Sequence, residues 1–155
     1  MKLRLYVIAV LALALLFVPR LWAQDTQADA VLKAREAALA AGNLDAILLS
    51  FADDAVVVTS SGRFLIGKEQ VRGWIQDQVD RRQREEAGSR YIQGNKLSWT
   101  GKVYREDWHK LGVSPLDVRQ DAIMQGDKIK FFNTTFTPES AARLQAARQK
   151  HDMRQ

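Results

Sequence analysis

The 155-residue chain has no cysteine, three prolines and only two histidines. Without cysteine it is neither a disulfide-stapled scaffold nor a lipoprotein. His109 and His151 lie far apart with no His-x-x-x-His spacing, which argues against a zinc site. No metal or other cofactor is expected. No linker, repeat or low-complexity stretch interrupts the chain after its first residues, and its length suits one domain. A surplus of positive charge is also largely missing. The formal charge is +5, but Lys2, Arg4 and Arg20 precede residue 24, and residues 24-155 hold 20 Lys and Arg against 18 Asp and Glu. The run Asp80 to Arg90 mixes both signs and lacks interleaved aromatics, so it reads as a solvated helix end. Nucleic acid is not an expected partner.

What is present begins with a targeting pattern. Lys2 and Arg4 precede an uninterrupted apolar run of 14 residues, Leu5 to Val18. As a helix this run spans about 21 Å, short of the ~30 Å hydrocarbon core. Pro19 ends it, and Leu21-Trp22-Ala23 supplies a small residue before Gln24. Residues 1-23 therefore read as a cleaved secretory signal and 24-155 as the mature domain, periplasmic or extracellular and not stably held on a membrane. Arg20 and Leu21 fit the cleavage pattern imperfectly, so an uncleaved anchor stays open.

The mature chain changes period half-way. Gln27 to Ala41 is rich in helix formers and closes at Gly42. Asn43 caps a short helix with Leu44, Ile47, Leu48 and Phe51 on one face, stopped by Asp53-Asp54. Ala55 to Thr59 and Phe64 to Ile66 read as strands around a Ser60-Ser61-Gly62 turn. After Gly67 a helix puts Val71, Trp74, Ile75, Gln78 and Val79 together and frays through Asp80 to Glu86, with Gly88 closing it. Tyr91 to Asp107 alternates like one long strand, and His109 to Pro115 reads as a loop. Leu116, Val118, Ala122 and Met124 share one strand face; Asp117, Arg119, Asp121 and Ile123 share the other. Gln125 to Lys128 is a hairpin turn, Ile129 to Phe136 a return strand, and Thr137-Pro138 the start of a helix over 138-150.

Early helices and late strands predict an α+β domain with an antiparallel sheet. Four segments, 41-47, 51-56, 66-71 and 126-129 (Ala-Gly-Asn-Leu-Asp-Ala-Ile, Phe-Ala-Asp-Asp-Ala-Val, Ile-Gly-Lys-Glu-Gln-Val and Gly-Asp-Lys-Ile), give the chain a resemblance. It resembles the family of nuclear transport factor 2, SnoaL-like cyclases, ketosteroid isomerase, scytalone dehydratase and limonene epoxide hydrolase, over a core of about 27-138. The resemblance implies a strongly bent sheet wrapped around helices, a cone with an apolar pocket at its mouth, and pairing of two copies through their sheets. These are scaffold motifs and speak for fold more than function.

The resemblance also locates the positions where relatives carry chemistry. The ketosteroid isomerase base, oxyanion Tyr and second oxyanion donor fall near Thr59, Arg35 and Arg119, with a one-residue register error allowed for the last. None matches, which argues against that isomerisation. The limonene epoxide hydrolase pattern finds Arg-x-Asp in Arg105-Glu106-Asp107, but Asn133 or Thr134 stands where a second Asp is needed. The Tyr and Asn that would orient its water are absent from Val57 to Thr59.

Among the residues themselves, Asp121, Asp107, Arg105 and His109 are the catalytic candidates. Trp99, Tyr104, Trp108, Arg119 and Asn133 are the ligand-binding candidates. Arg105 and Asp107 form either half of a site or a solvated ion pair. Tyr104, Trp108 and His109 offer aromatic contacts and a group that titrates near neutrality, unless the loop exposes them. Asp117, Arg119 and Asp121 form an acid/base row if they line the cone, or a charged edge if they face out. The apolar set opposite them favours the outward orientation. Ser60-Ser61-Gly62 lacks a nucleophile motif and is a turn. The expected role is therefore that of an exported domain binding a small apolar molecule or a protein partner. The alternative is a metal-independent acid/base enzyme of isomerase, dehydratase, cyclase or epoxide-hydrolase type.

Overall fold

The computed structural model describes residues 26–153; the segment 1-23 read as a secretory signal, and the cleavage expected after it, lie outside them. The first helix, α1, covers residues 26–40. It buries Ala28, Leu32, Arg35 and Leu39, a helical stripe in which one position is an arginine. Gly42, at φ +67°, ends it: Gly42 N–H donates to the Leu39 carbonyl and Asn43 N–H to that of Ala38, a Schellman closure. The Asn43 side chain then caps α2, Leu44–Leu49, by accepting from Ala46 N–H.

Strand β1, Phe51–Val58, starts at once. Asp53-Asp54, expected to stop a helix, are exposed strand residues instead. They sit where the pairing of β1 slips between Phe51 and Val56, and they bind Lys68 and Lys130. Phe51 belongs to the strand because its buried ring packs edge-on against Phe132. After β2, Phe64–Ile66, helix α3 runs Lys68–Asp80. It buries Val71, Ile75 and Gln78, with Trp74 half-buried.

The run read as a fraying helix end is strand β3, Arg84–Ala87. The single long strand expected from Tyr91 is a hairpin of β4, Tyr91–Gln93, and β5, Lys96–Tyr104, turned on Gly94-Asn95. The chain then enters α4, Glu106–Lys110, which occupies the end of the expected strand and the start of the expected loop. Strands β6, Leu116–Gln125, and β7, Lys128–Phe136, form the anticipated hairpin on Gly126. Thr137 caps α5, Pro138–Asp152, by accepting from Ser140 N–H.

The strand order is β2-β1-β7-β6-β5-β3, with β4 also on β5. All pairings are antiparallel except β1 with β7, so the curved sheet is mixed. Leu32, Leu39, Ile47, Val71 and Ile75 from the first three helices pack with Phe51, Val57, Leu97, Trp99 and Phe132 in one core. A smaller cluster joins Trp108 and Leu144, from α4 and α5, to Val103, Leu116 and Val118. Between the two clusters the structure is polar or hollow.

Candidate functional site

Arg35, on the buried stripe of α1, is 1% exposed. Its guanidinium lies 4.6 Å from the centre of the Phe132 ring. It donates to Glu85 on β3, Nη1 to Oε2 at 3.0 Å and Nη2 to Oε1 at 3.4 Å. Gln83 Nε2 donates to Oε1 at 3.0 Å, and Gln120 Nε2, from β6, to Oε2 at 3.2 Å. A carboxylate offers about four acceptor sites, and those of Glu85 are filled. Burial alone would raise the Glu85 pKa, but the Arg35 charge and these hydrogen bonds outweigh it and hold the carboxyl below the ordinary glutamate range. Glu85 is thus a fixed anion with no lone pair left for a substrate proton.

Beyond this cluster the cone opens into a chamber of about 490 Å³ bounded by α3, α4, α5 and the sheet ends. Trp74, Trp108, Phe136, Ala141 and Leu144 give it apolar walls. Thr59 and Ser60 border it, and Arg63 and Arg148 stand at its exposed edge. A narrower cavity of about 40 Å³ shares Ser60, Trp74, Arg105, Trp108 and Phe136 with the chamber and reaches Gln78, Gln83, Glu85 and Thr134. Chamber and throat share part of their lining and form one funnel, with an apolar patch in its wall, a polar and charged rim that includes Asp77, Gln145, Gln149 and Asp152, and a polar floor.

Arg105 and Asp107 form the brace of this mouth. Asp107 accepts from Arg105 Nε at 3.1 Å and Nη2 at 2.9 Å, and from Arg81 Nη1 at 2.9 Å. Its Oδ1 also takes the Trp108 backbone N–H at 3.0 Å. Arg105 in turn stacks 4.5 Å from the Trp108 ring centre. Partial burial would raise the Asp107 pKa, but Arg105 and Arg81 outweigh it and lower it. The pair positions an indole and a guanidinium at the mouth while the carboxylate stays ionised.

The other predicted residues separate. Trp99 lies deep in the core against Phe132, ring centres 6.1 Å apart, and does not line the funnel. Tyr104 turns to the opposite sheet face, where its hydroxyl donates to Glu86 at 2.8 Å under the stacked Arg84. His109 is exposed on α4. Asp117, Arg119 and Asp121 also point outward, and Asp121 accepts from Asn133 Nδ2 at 3.2 Å. Of the nine candidates, Arg105 and Trp108 line the funnel, and Asp107 binds both of them without lining it. Glu85, Gln83, Gln78 and Trp74 join them without having been singled out.

No protein-family model matches the sequence, and no curated protein is detectably similar to it. Solved structures are. SalBIII, an epoxide hydrolase/cyclase-like enzyme of pyran ring formation in the polyether salinomycin, superposes with TM-score 0.65 at 13% identity, over 76% of this chain and 96% of that one. A protein of ketosteroid isomerase-like fold from Catenulispora acidiphila, in complex with trimethylamine, gives 0.59 at 18% identity over 71% and 87%. An NTF2-like protein of unknown function from Cytophaga hutchinsonii gives 0.60 at 11% identity over 74% and 94%. The fold is NTF2-like.

Identities this low establish the NTF2-like fold and carry no chemistry with them. The three positions that the sequence resemblance matched to ketosteroid isomerase can be read in place. Arg35 and Thr59 are both buried, with Thr59 Oγ1 bonded to Ser61 Oγ at 3.0 Å. The inward residue of β6 is Gln120, one place from Arg119. This NTF2-like cone therefore carries a cation, a hydroxyl and an amide at those positions, and a deep carboxylate, that of Glu85, arrives from β3.

Proposed function

We propose that this chain is an exported NTF2-like domain that binds a small, largely apolar molecule in the chamber between the sheet and α5, without transforming it. One observation carries the reading: two indoles, a phenyl ring and Leu144 stand in the chamber wall, while Glu85 at the floor is filled by Arg35, Gln83 and Gln120, Asp107 in the brace is held by Arg105 and Arg81, Asp77 in the wall is bound by Arg81 Nε at 2.6 Å, and Asp152 is exposed at the rim. A general base needs a free lone pair and a pKa near the working pH, and the two most buried carboxylates of the site, Glu85 and Asp107, do not offer both.

Trp74 and Trp108 make the test direct. Titration with small terpenoid, steroid and polyketide-like compounds should change tryptophan emission without product formation. The cyclase-like neighbours make turnover the outcome to look for. Product formation that disappears in Glu85→Gln or Asp107→Asn would replace binding with acid/base catalysis. Silence in emission and turnover alike would favour a protein partner on the sheet.

Export is supported by the cationic start, the apolar run and Ala23; N-terminal sequencing of extracytoplasmic protein should find a chain beginning near Gln24. Pairing of two copies is supported by an outward apolar row. Ile66, Val56, Phe131 and Ile123 stand side by side across β2, β1, β7 and β6.

A further inference from the structure

The throat of the funnel contains hydrogen-bond donors that the protein does not use. Gln78 Nε2 and Trp108 Nε1 are buried and without a partner among the described residues, and the two residues, 2% and 4% exposed, line the same 40 Å³ cavity. Most buried polar groups are satisfied, so two orphans around one cavity call for an explanation. Arg35 Nε, Arg90 Nε and Trp99 Nε1 are also unpartnered, but none of those residues lines the chamber or the throat.

The network fixes which end of Gln78 is free. Glu85 only accepts, so Gln83 must turn its NH₂ toward it; the remaining hydrogen of that NH₂ goes to Gln78, 3.2 Å away. Gln78 must meet it with its carbonyl oxygen, which leaves its own NH₂ unspent. The Trp108 indole can only donate. The residues around the throat thus hold two unspent neutral donors, and the carboxylate beside them has no acceptor capacity left.

We infer that the throat receives a neutral carbonyl oxygen, that of a ketone, ester or lactone, on the Gln78 and Trp108 donors, with the hydrocarbon body of the same ligand in the chamber. The inference rests on the chamber being a ligand site. Size fits: the throat exceeds the ~10–15 Å³ that one water needs, yet is far too small for a ring. A carbonyl oxygen has two lone pairs for two donors. Charge decides against a carboxylate head. It would lie beside the Glu85 anion, while Arg35 is committed to Glu85 and Arg105 to Asp107.

Three probes of one shape separate the outcomes: 2-acetylnaphthalene, 2-ethylnaphthalene and 2-naphthoate, titrated calorimetrically into the purified protein at neutral pH. The ketone should bind at least about tenfold more tightly than the ethyl compound, because only it satisfies the buried donors. Its carbonyl stretch should move to lower frequency on binding. Gln78→Leu and Trp108→Phe lie on different helices, so one can report if the other does not fold. Each should bring the ketone-to-hydrocarbon ratio near one and shrink the frequency shift. Equal binding of ketone and hydrocarbon to the unaltered protein would overturn the inference, leaving a throat that holds only water and a chamber that still binds. Tightest binding of the naphthoate would overturn the neutral head. Binding of none of the three would remove the chamber reading itself, and this inference with it.

Discussion

On the inner face of the sheet, Glu85, Gln83 and Gln120 meet Arg35 from α1 in a buried polar cluster. On the outer face of the same sheet, Ile66, Val56, Phe131 and Ile123 form an apolar row across four strands, with Ile66 63% exposed. Water-driven burial alone would place these two sets the other way round. A buried ion pair rarely stabilises more than well-packed apolar side chains of equal volume, so the inner cluster is better understood as a fixed polar floor for the funnel. The outer row gains only if something covers it. Under the proposed function the inner face would hold a molecule and the outer face would meet a partner, so the two faces can be tested separately.

The largest expected effect tests whether the inner face is closed. Arg35→Met removes the cation and leaves the Glu85 carboxylate buried without its charge partner, which should lower the unfolding free energy by about 3–5 kcal/mol. Urea denaturation measures it. Adding Glu85→Leu should recover part of the loss, since an apolar pair no longer strands a charge. A loss under about 1 kcal/mol from Arg35→Met would mean that solvent reaches the cluster and that the two faces differ less than their burial implies.

The same pair predicts a pH effect of middling size. Glu85 has a depressed folded pKa. Its contribution is therefore fully present above the unfolded glutamate value, about 4.3, and is lost as the pH falls through the lower folded value. Asp29 and Asp107 are shifted in the same direction, so the useful quantity is a difference. Between pH 5 and pH 2, the Arg35→Met/Glu85→Leu protein should lose less stability than the unaltered protein. Parallel curves would mean that Glu85 is not held by Arg35 in solution.

How far the sequence disclosed this arrangement depends on whether a residue agrees with its neighbours. The Asn43 cap, the Gly126 hairpin and the Thr137-Pro138 helix start are local signals, and each appears where expected. Strand β3 was hidden because its inward positions carry a glutamate and a small alanine while Arg84 and Glu86 face out; no apolar alternation marks it. Helix α4 was hidden because Arg105-Glu106-Asp107 continues the polar alternation of β5. In the site, Arg35, Gln78 and Gln120 each interrupt an otherwise apolar buried series, on α1, α3 and β6. A polar residue at a buried periodic position was the available signal. Glu85 had none, since a charged run conceals which of its members turns inward.

A smaller effect belongs to the outer row. Ile66→Thr keeps a β-branched residue on an edge strand and should change stability by no more than about 0.5 kcal/mol. If two copies cover this face, the same substitution should weaken their association in sedimentation equilibrium. A protein that is monomeric with either residue would leave the row to a different partner.

The smallest effect is expected at Asp121, and it tests the comparison from the opposite side. Asp121 lies on the outer face, half-buried, accepting from Asn133 at 3.2 Å with Arg119 Nε 3.9 Å from its other oxygen. Asp121→Asn keeps the size and an acceptor oxygen. Its Arg119 partner is an exposed pair of the kind that contributes little. Stability should stay within about 0.5 kcal/mol, and affinity for an apolar ketone should be unchanged, because the funnel opens on the opposite face of the strand. Calorimetry on the variant checks both. A loss of binding or of any turnover in Asp121→Asn would move the functional site to the outer face, where Asp121, Arg119 and Asn133 already stand together. The inner cluster would then be a packing solution and not the floor of a site.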